Sequence, residues 1–138
     1  FARIAASGDA TVQYQVAFSM LEIYNEKVQD LLQKDATRKP AGGLKVRESR
    51  QKGIYVENLT MHAVDSYESI AAKMEEGHTQ RSIGATLMNQ TSSRAHTIIT
   101  IEFRQIKQEE GRKVEKFSCI NLVDLAGSEK SGQTGAEG

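Results

Sequence analysis

Two short polar segments contain the residues whose types and spacing best suit chemistry. The first, NQTSSRAH at residues 89–96, puts an amide, adjacent hydroxyls and a guanidinium close together. A Ser oxygen can ligate Mg²⁺, an Asn can donate a hydrogen bond to phosphate, and an Arg can form a bidentate pair with a carboxylate. The residue types therefore suit a phosphate and its metal ion, although composition alone also fits, and by itself favours, an ordinary polar loop with a helix cap.

The second segment, INLVDLAG at residues 120–127, is an apolar run that ends in Asp124, with Gly127 three residues later. An Asp at the carboxyl end of a buried strand lies where ligands of α/β sheets bind, and it can hold Mg²⁺ directly or through water. Gly127 has no Cβ, so its backbone N–H can approach a γ-phosphate, and loss of that phosphate frees the loop. Taken alone the pattern is weak, because many strands end in Asp-x-x-Gly by chance.

The remaining sequence predicts the strands that must position these segments. Residues 12–24 are rich in Val, Phe, Ile and Tyr and read as a largely buried strand. Residues 96–105 and 113–124 read as two further strands, joined as a hairpin by a turn at 109–112. A smaller hairpin is predicted from strands at 44–48 and 54–59.

Helical patterns are shorter. Asp65 as N-cap, an apolar i, i+3, i+4, i+7 spacing and Gly77 as C-cap predict a helix over 65–76. Residues 25–32 predict a short helix, and the first residues read as the tail of another. Residues 33–43, which contain the only proline, and the polar stretch 82–96 are predicted to be loops.

Composition limits the class of protein. Acidic and basic residues balance at 18 each, so no overall field attracts nucleic acid or an anionic membrane. Cys119 is the only cysteine, which excludes an internal disulfide and favours an intracellular protein. No apolar run approaches the ~20 residues that span a bilayer, so we expect no membrane insertion. The start at Phe1 without a methionine and the end at Gly138 in a Gly/Ser-rich stretch predict a single partial domain, residues 1–138, cut at both ends.

Taken together and in order, these motifs resemble the kinesin motor superfamily. Residues 89–96 are similar to its switch I and residues 124–129, DLAGSE, to its switch II. The segment EIYNE at 22–26 and the residues Arg81, Thr86 and Met88 also match the family's pattern. Myosin switches are of related design but place Phe-Gly after the arginine and Gly-Phe-Glu in the second switch. One departure is Ala95, which stands where the family usually has a serine.

The resemblance implies roles for individual residues. Asn89 and Ser92 would approach the γ-phosphate, and Ser93 would contact Mg²⁺. Asp124 would reach the metal through water, and the N–H of Gly127 would sense the γ-phosphate. Arg94 and Glu129 would form an ion pair between the switches that closes over the attacking water, which with Gly127 makes them the implied catalytic residues. The implied cofactors are ATP and Mg²⁺.

The resemblance also implies a fold and a function. We expect an α/β fold, a partial kinesin-type P-loop NTPase motor with one side of the central mixed β-sheet and packed helices. The function expected is that of a microtubule motor fragment, cytoplasmic and associated with the cytoskeleton, in which ATP hydrolysis drives movement. No G-x-x-x-x-G-K-[ST] occurs in the sequence, so the isolated chain should not turn over ATP. The alternative is a non-catalytic interaction protein that binds tubulin without ATP turnover.

Other residues carry weaker predictions. The basic residues of the first hairpin resemble the family's minor tubulin-contacting loop, and a solvated hairpin tip fits them equally well: Lys45, Arg47, Arg50 and Lys52. Cys119 is expected to be a small core residue on a buried strand. His96 is expected to be structural rather than a proton carrier. Subfamily, direction of travel, cargo and oligomeric state are not encoded in these motifs.

Overall fold

The structure is a computed structural model that describes residues 1–88 and 94–127, with the side chains of 85–88 excepted. Its elements in chain order are α1 (Ala2–Ala6), β1 (Val12–Tyr24), β2 (Lys27–Asp30), a 3₁₀ turn (Ala36–Arg38), β3 (Val46–Ser49), β4 (Gly53–Val56), β5 (His62–Ala63), α2 (Tyr67–Met88), β6 (Ala95–Glu109) and β7 (Arg112–Asp124). The fold is α/β, with a sheet covered on one face by α2.

The main sheet has the strand order β2-β1-β6-β7, and β5 pairs with part of β1. All its described pairs are antiparallel. The long central ladders join β1 to β6 and β6 to β7, and the predicted strands 12–24, 96–105 and 113–124 lie within them. β3 and β4 form the separate hairpin that the sequence predicted.

The core lies between the sheet and α2. Its buried members are Phe18, Met20, Leu31, Leu32, Val64 and Ile99. Gly77 lies in the middle of α2 rather than at its end, and a Cβ there would overlap the sulfur of Met20. The missing side chain is therefore what lets this helix approach β1 so closely.

Two predicted helix boundaries were wrong. α2 does not end at Gly77 but runs to Met88, so the helix takes in part of the predicted loop 82–96. Its first turn is capped by Ser66 rather than Asp65: Ser69 N donates to Ser66 Oγ, and Ser66 N donates to Ser69 Oγ, each at 3.1 Å. This reciprocal arrangement satisfies amides that the first helical turn leaves free.

The predicted helix at 25–32 was also wrong. Asn25 and Glu26 both have positive φ, 50° and 62°, and form a two-residue turn between β1 and β2. Such a turn matches the twist of a hairpin. Val28, Leu31 and Leu32, which suggested a helical stripe, are buried instead through strand pairing and the segment that follows it.

The last strand of the sheet is largely uncovered. Every residue of β7 is exposed, including Phe117, Ile120, Leu122 and Val123 at 51–54%. Cys119, predicted to be buried, is exposed as well. The prediction failed because it took an apolar strand to be covered on both faces, whereas among the described residues α2 packs on β1 and leaves β7 exposed.

Candidate functional site

The start of β6 and the end of β7 meet at one edge of the sheet. Thr97 pairs with Asp124, which closes the β6–β7 ladder at this end. The chain positions just before β6 belong to the first polar segment, and those just after β7 belong to the second. The antiparallel register therefore brings together two segments that are about thirty residues apart in sequence.

A side-chain contact holds the two segments together beyond the last ladder pair. The backbone N–H of Ala126 donates a hydrogen bond to Nδ1 of His96 at 3.0 Å. Both groups are partly buried. The contact ties the loop after β7 directly to the start of β6.

Asp124 and Gly127 lie close to this contact along the chain. Asp124 is exposed at the carboxyl end of β7, so its carboxylate is open to a ligand or to water. Gly127 adopts φ +90°, a backbone conformation that side chains with a Cβ rarely adopt. An exposed carboxylate three residues before a glycine of positive φ fits a hydrated Mg²⁺ and a phosphate oxygen.

A row of polar residues crosses the sheet at the same level. Glu22 on β1 pairs with Thr97 on β6, and Thr97 pairs with Asp124 on β7, so the three share one face. Glu22 and Thr97 are 2% and 4% exposed. Neither Glu22 Oε2 nor Thr97 Oγ1 has a hydrogen-bond partner among the described residues.

Arg81 on α2 supplies the charge that faces Glu22. Its Nε lies 3.6 Å from Glu22 Oε2, an ion pair rather than a hydrogen bond. Burial raises the pKa of the Glu22 carboxyl, and the Arg81 guanidinium opposes that rise. The pair fixes the carboxyl-terminal half of α2 on the sheet, ahead of residues 89–94.

The structure tests only part of the predicted site. Asn89, Ser92, Ser93 and Glu129 lie outside the described residues. Arg94 is exposed and directly precedes β6. Asp124 is the last residue of β7, and Gly127 lies in the loop that the His96 contact holds against β6.

The predicted tubulin-contacting residues are exposed on the β3–β4 hairpin and its flank: Lys45, Arg47, Arg50 and Lys52. Arg47 pairs with Glu57 at 3.2 Å, and Lys52 Nζ lies 5.2 Å from the centre of the Tyr55 ring. Ile54 on the same hairpin is 76% exposed. The hairpin thus presents positive charge and an apolar side chain to solvent.

Sequence reasoning assigned no site role to the Glu22–Arg81 pair or the His96–Ala126 contact. A signal for the first was present, since Glu22 is a carboxylate in a strand predicted to be largely buried and therefore needs a counter-charge. His96 gave no comparable signal, because its partner is a backbone amide that no residue pattern reveals.

No described helix has both the length and the apolar character needed to cross a membrane. The described residues contain no cluster of three or more His, Cys, Asp or Glu side chains that could hold a metal ion unaided.

Comparison with known proteins identifies the fold. A family model described as the kinesin motor domain matches residues 1–138. The chain is 47% identical over 140 residues to the kinesin-like protein unc-104 of Caenorhabditis elegans, covering 100% of this chain and 9% of that protein. It is 46% identical over 138 residues to the kinesin-like protein Klp98A of Drosophila melanogaster, covering 100% of this chain and 11% of that protein.

A solved structure gives the same result. A fast kinesin, described with reference to its ATPase mechanism and its interactions with microtubules, matches with a TM-score of 0.80 and 40% sequence identity. The match covers 98% of this chain and 36% of that one. The chain spans about a tenth of the length of the curated relatives named above. By its sequence, its motifs and its fold, the chain belongs to the kinesin motor-domain family.

Proposed function

We propose that this chain is part of a microtubule-based motor that couples ATP hydrolysis to movement, and that it supplies the two switches that sense the γ-phosphate. The observation that supports this most directly is the junction of β6 and β7. The Thr97–Asp124 pairing and the His96–Ala126 hydrogen bond bring the ends of both switch segments to one edge of the sheet. A movement of one switch segment is therefore transmitted to the other through these contacts.

The proposed ligands are ATP and Mg²⁺. Asn89 and Ser92 approach the γ-phosphate, and Ser93 and Asp124 hold the metal, Asp124 through water. Bound Mg²⁺ neutralises charge on the phosphates. The exposed carboxylate of Asp124 supports its own assignment, and the positive φ of Gly127 supports the donor role proposed for that residue below.

Hydrolysis needs the switches to close. In this proposal the Gly127 N–H donates to the γ-phosphate, while Arg94 pairs with Glu129 across the site and excludes bulk water from the attacking one. An ion pair of this kind is worth only ~0–1 kcal/mol when exposed, and burying it adds a desolvation cost, so the contacts to the γ-phosphate must supply most of the free energy of closure. Loss of the γ-phosphate removes the partner of Gly127 and releases the loop.

The proposal can be tested in a chimera. The 138 residues of this chain replace the matching stretch of rat KIF1B, which is 46% identical over 140 residues. We expect ATPase activity stimulated by microtubules, and microtubule gliding, to persist. A folded chimera with neither activity would refute the proposed function.

A matched pair of glycine substitutions tests the site itself. Gly127→Ala and Gly53→Ala both place a Cβ on a residue with positive φ, at +90° and +68°. Both are strained, but Gly53 lies on the exposed hairpin with nothing within 4 Å of the added atom. With both substitutions made in the chimera, we expect ATPase turnover to fall at least ~100-fold in Gly127→Ala only, the loss typical for removing one oriented donor. An equal loss of turnover in the two variants would show that Gly127 is not part of the site.

For the isolated chain we propose that there is no ATP turnover, because the sequence contains no P-loop. Thermal unfolding with and without Mg·ATP tests the nucleotide binding that turnover requires. A ligand at ~100 times its dissociation constant would add about 2.7 kcal/mol of stability, a clear rise in midpoint. We expect no rise, and a rise would show that the phosphates are held by a group other than a P-loop.

The exposed basic hairpin supports the second candidate, tubulin binding without turnover, and a cytoplasmic location on microtubules. Tubulin binding through this hairpin predicts co-sedimentation of the chain with microtubules. Arg50→Glu with Lys52→Glu should abolish it, while the control Lys34→Glu with Lys39→Glu makes the same charge change on an exposed loop. Co-sedimentation that both double variants weaken equally would indicate non-specific attraction.

A further inference from the structure

The ring of His96 makes the first contact between the two segments beyond the end of the β6–β7 ladder. Thr97 and Asp124 are the last paired residues, and β7 ends there. Two residues further on, the N–H of Ala126 is bonded not by a backbone carbonyl but by Nδ1 of His96, at 3.0 Å. The loop is therefore held by a side chain at the point where strand pairing can no longer hold it.

This contact fixes the state of the ring. An imidazole nitrogen accepts a hydrogen bond only through its lone pair, so Nδ1 carries no proton and the proton of the neutral ring is on Nε2. With Nδ1 engaged by an amide, that nitrogen is not available to a substrate or to an attacking water. The geometry thus assigns the ring a holding role.

The held peptide adjoins the glycine on which the switch depends. The amide of Gly127 immediately follows the Ala126 residue that His96 holds, and Gly127 adopts φ +90°. Because a peptide unit is planar, anchoring the N–H of Ala126 leaves only the torsions of Ala126 to set the direction of the Gly127 N–H.

We infer that His96 is the positioning residue that aims the Gly127 N–H, through its hydrogen bond to Ala126. The importance of that direction rests on the proposed function, in which Gly127 senses a γ-phosphate. The positioning itself requires no nucleotide. It can therefore be tested, and can fail, independently of the ATPase.

Substitutions at His96 can separate the acceptor from the ring. Asn places Oδ1 near the position of the histidine Nδ1 and so keeps an acceptor for the Ala126 N–H. Phe keeps a planar ring of similar size but has no acceptor. His78→Asn is the matched control, because His78 is exposed on α2, away from this junction.

The experiment uses the 138-residue chain, labelled with ¹⁵N and free of nucleotide. The imidazole ¹⁵N shifts of His96 should show an unprotonated Nδ1 and a protonated Nε2. Amide exchange at Ala126 should be about fivefold faster in His96→Phe, the factor for one ordinary hydrogen bond, and close to the parent in His96→Asn and His78→Asn. Residual dipolar couplings of the Gly127 N–H should change in the Phe variant and return with Asn.

Three results would overturn the inference. A protonated Nδ1 in the parent chain would show that the hydrogen bond from Ala126 does not form, and this measurement does not depend on whether any variant folds. Equal rates of amide exchange at Ala126 in the Phe and Asn variants would show that the side chain at position 96 does not act as the acceptor. A Gly127 coupling that does not change in the Phe variant means that the hydrogen bond exists but positions nothing.

Discussion

The buried ion pair between α2 and the sheet makes the sharpest prediction. Arg81→Met keeps most of the aliphatic stem but removes the cation that faces Glu22. Glu22 and Arg81 side chains are 3% and 19% exposed, and Nε lies 3.6 Å from Oε2. At that distance, an effective dielectric constant of ~20 gives an attraction of about 4–5 kcal/mol.

The measured loss will be smaller than this attraction. Part of Arg81 is exposed, and the pair makes no hydrogen bond at Oε2, so solvent and relaxation recover some of the cost. Removing one partner of a buried pair typically destabilises by roughly 3–5 kcal/mol. We expect about 3 kcal/mol from urea unfolding of the 138-residue chain near neutral pH.

A matched control separates burial from charge. Arg104→Met breaks a shorter ion pair, 2.8 Å from Glu115, whose side chains are 46% and 43% exposed. An exposed pair of this kind contributes about 0–1 kcal/mol. The double variant Glu22→Gln with Arg81→Met should recover most of the loss, because no buried charge then remains.

The pH dependence of Arg81→Met has a definite sign. Burial raises the pKa of Glu22, so the folded state holds that proton at a pH where the unfolded state has released it. The free energy of unfolding therefore falls as pH rises from the ordinary Glu pKa through the raised folded value. Without Arg81, which opposes the rise, the loss should grow as pH rises above the ordinary Glu pKa and shrink in acid. A loss no larger than that of Arg104→Met, or one that does not shrink in acid, would refute this reasoning.

Three further predictions concern stability, each measured by urea unfolding. Gly77→Ala should destabilise by about 1–3 kcal/mol, because its Cβ meets the Met20 sulfur. Gly84→Ala on the same helix, where nothing lies within 4 Å of the added Cβ, should stabilise by about 0.5–1 kcal/mol. A change in unfolding free energy of the same sign in both variants would contradict this. Ser66→Ala should cost about 1 kcal/mol through loss of the cap on α2, and a cost near zero would assign that cap elsewhere. Asp30→Asn should cost about 1–3 kcal/mol. The carboxylate accepts hydrogen bonds from the backbone N–H groups of residues 32 and 60, at 2.9 and 2.8 Å, and an amide cannot accept at both positions. No loss of stability would mean that water replaces one of these contacts.

The long strands were predictable because their apolar pattern is continuous and their turns are marked. β1 was predicted at its observed bounds, and the β6–β7 hairpin turns at Glu110 and Gly111, both with positive φ. The same turn chemistry was missed at Asn25 and Glu26. There the following Val28-x-x-Leu31-Leu32 spacing imitates a helical stripe, since a short strand and its continuation can bury the same residues.

The extent of α2 could not be derived locally. Gly77 has the type and position of a C-cap, and only its contact with Met20 explains a glycine within a helix. The exposure of Cys119 likewise depends on what covers β7, which no pattern within the strand records. Of the candidate site, the sequence predicted Asp124 and Gly127 from their order along the chain, and these roles stay predictions. The His96 contact required the register between β6 and β7, which is a tertiary property.

The two long ladders also restrict how such a chain can vary in length during evolution. β1 and β7 are thirteen residues each, and both pair along β6. A single residue inserted within β7 would turn Asp124 to the opposite face and carry Ala126 away from His96. Insertions are compatible with the site only at the far end of the hairpin, beyond Glu109 and Arg112, where strands can lengthen in matched pairs. The distal hairpin can thus record lineage history, while the register of the ladder beside the two switches stays fixed.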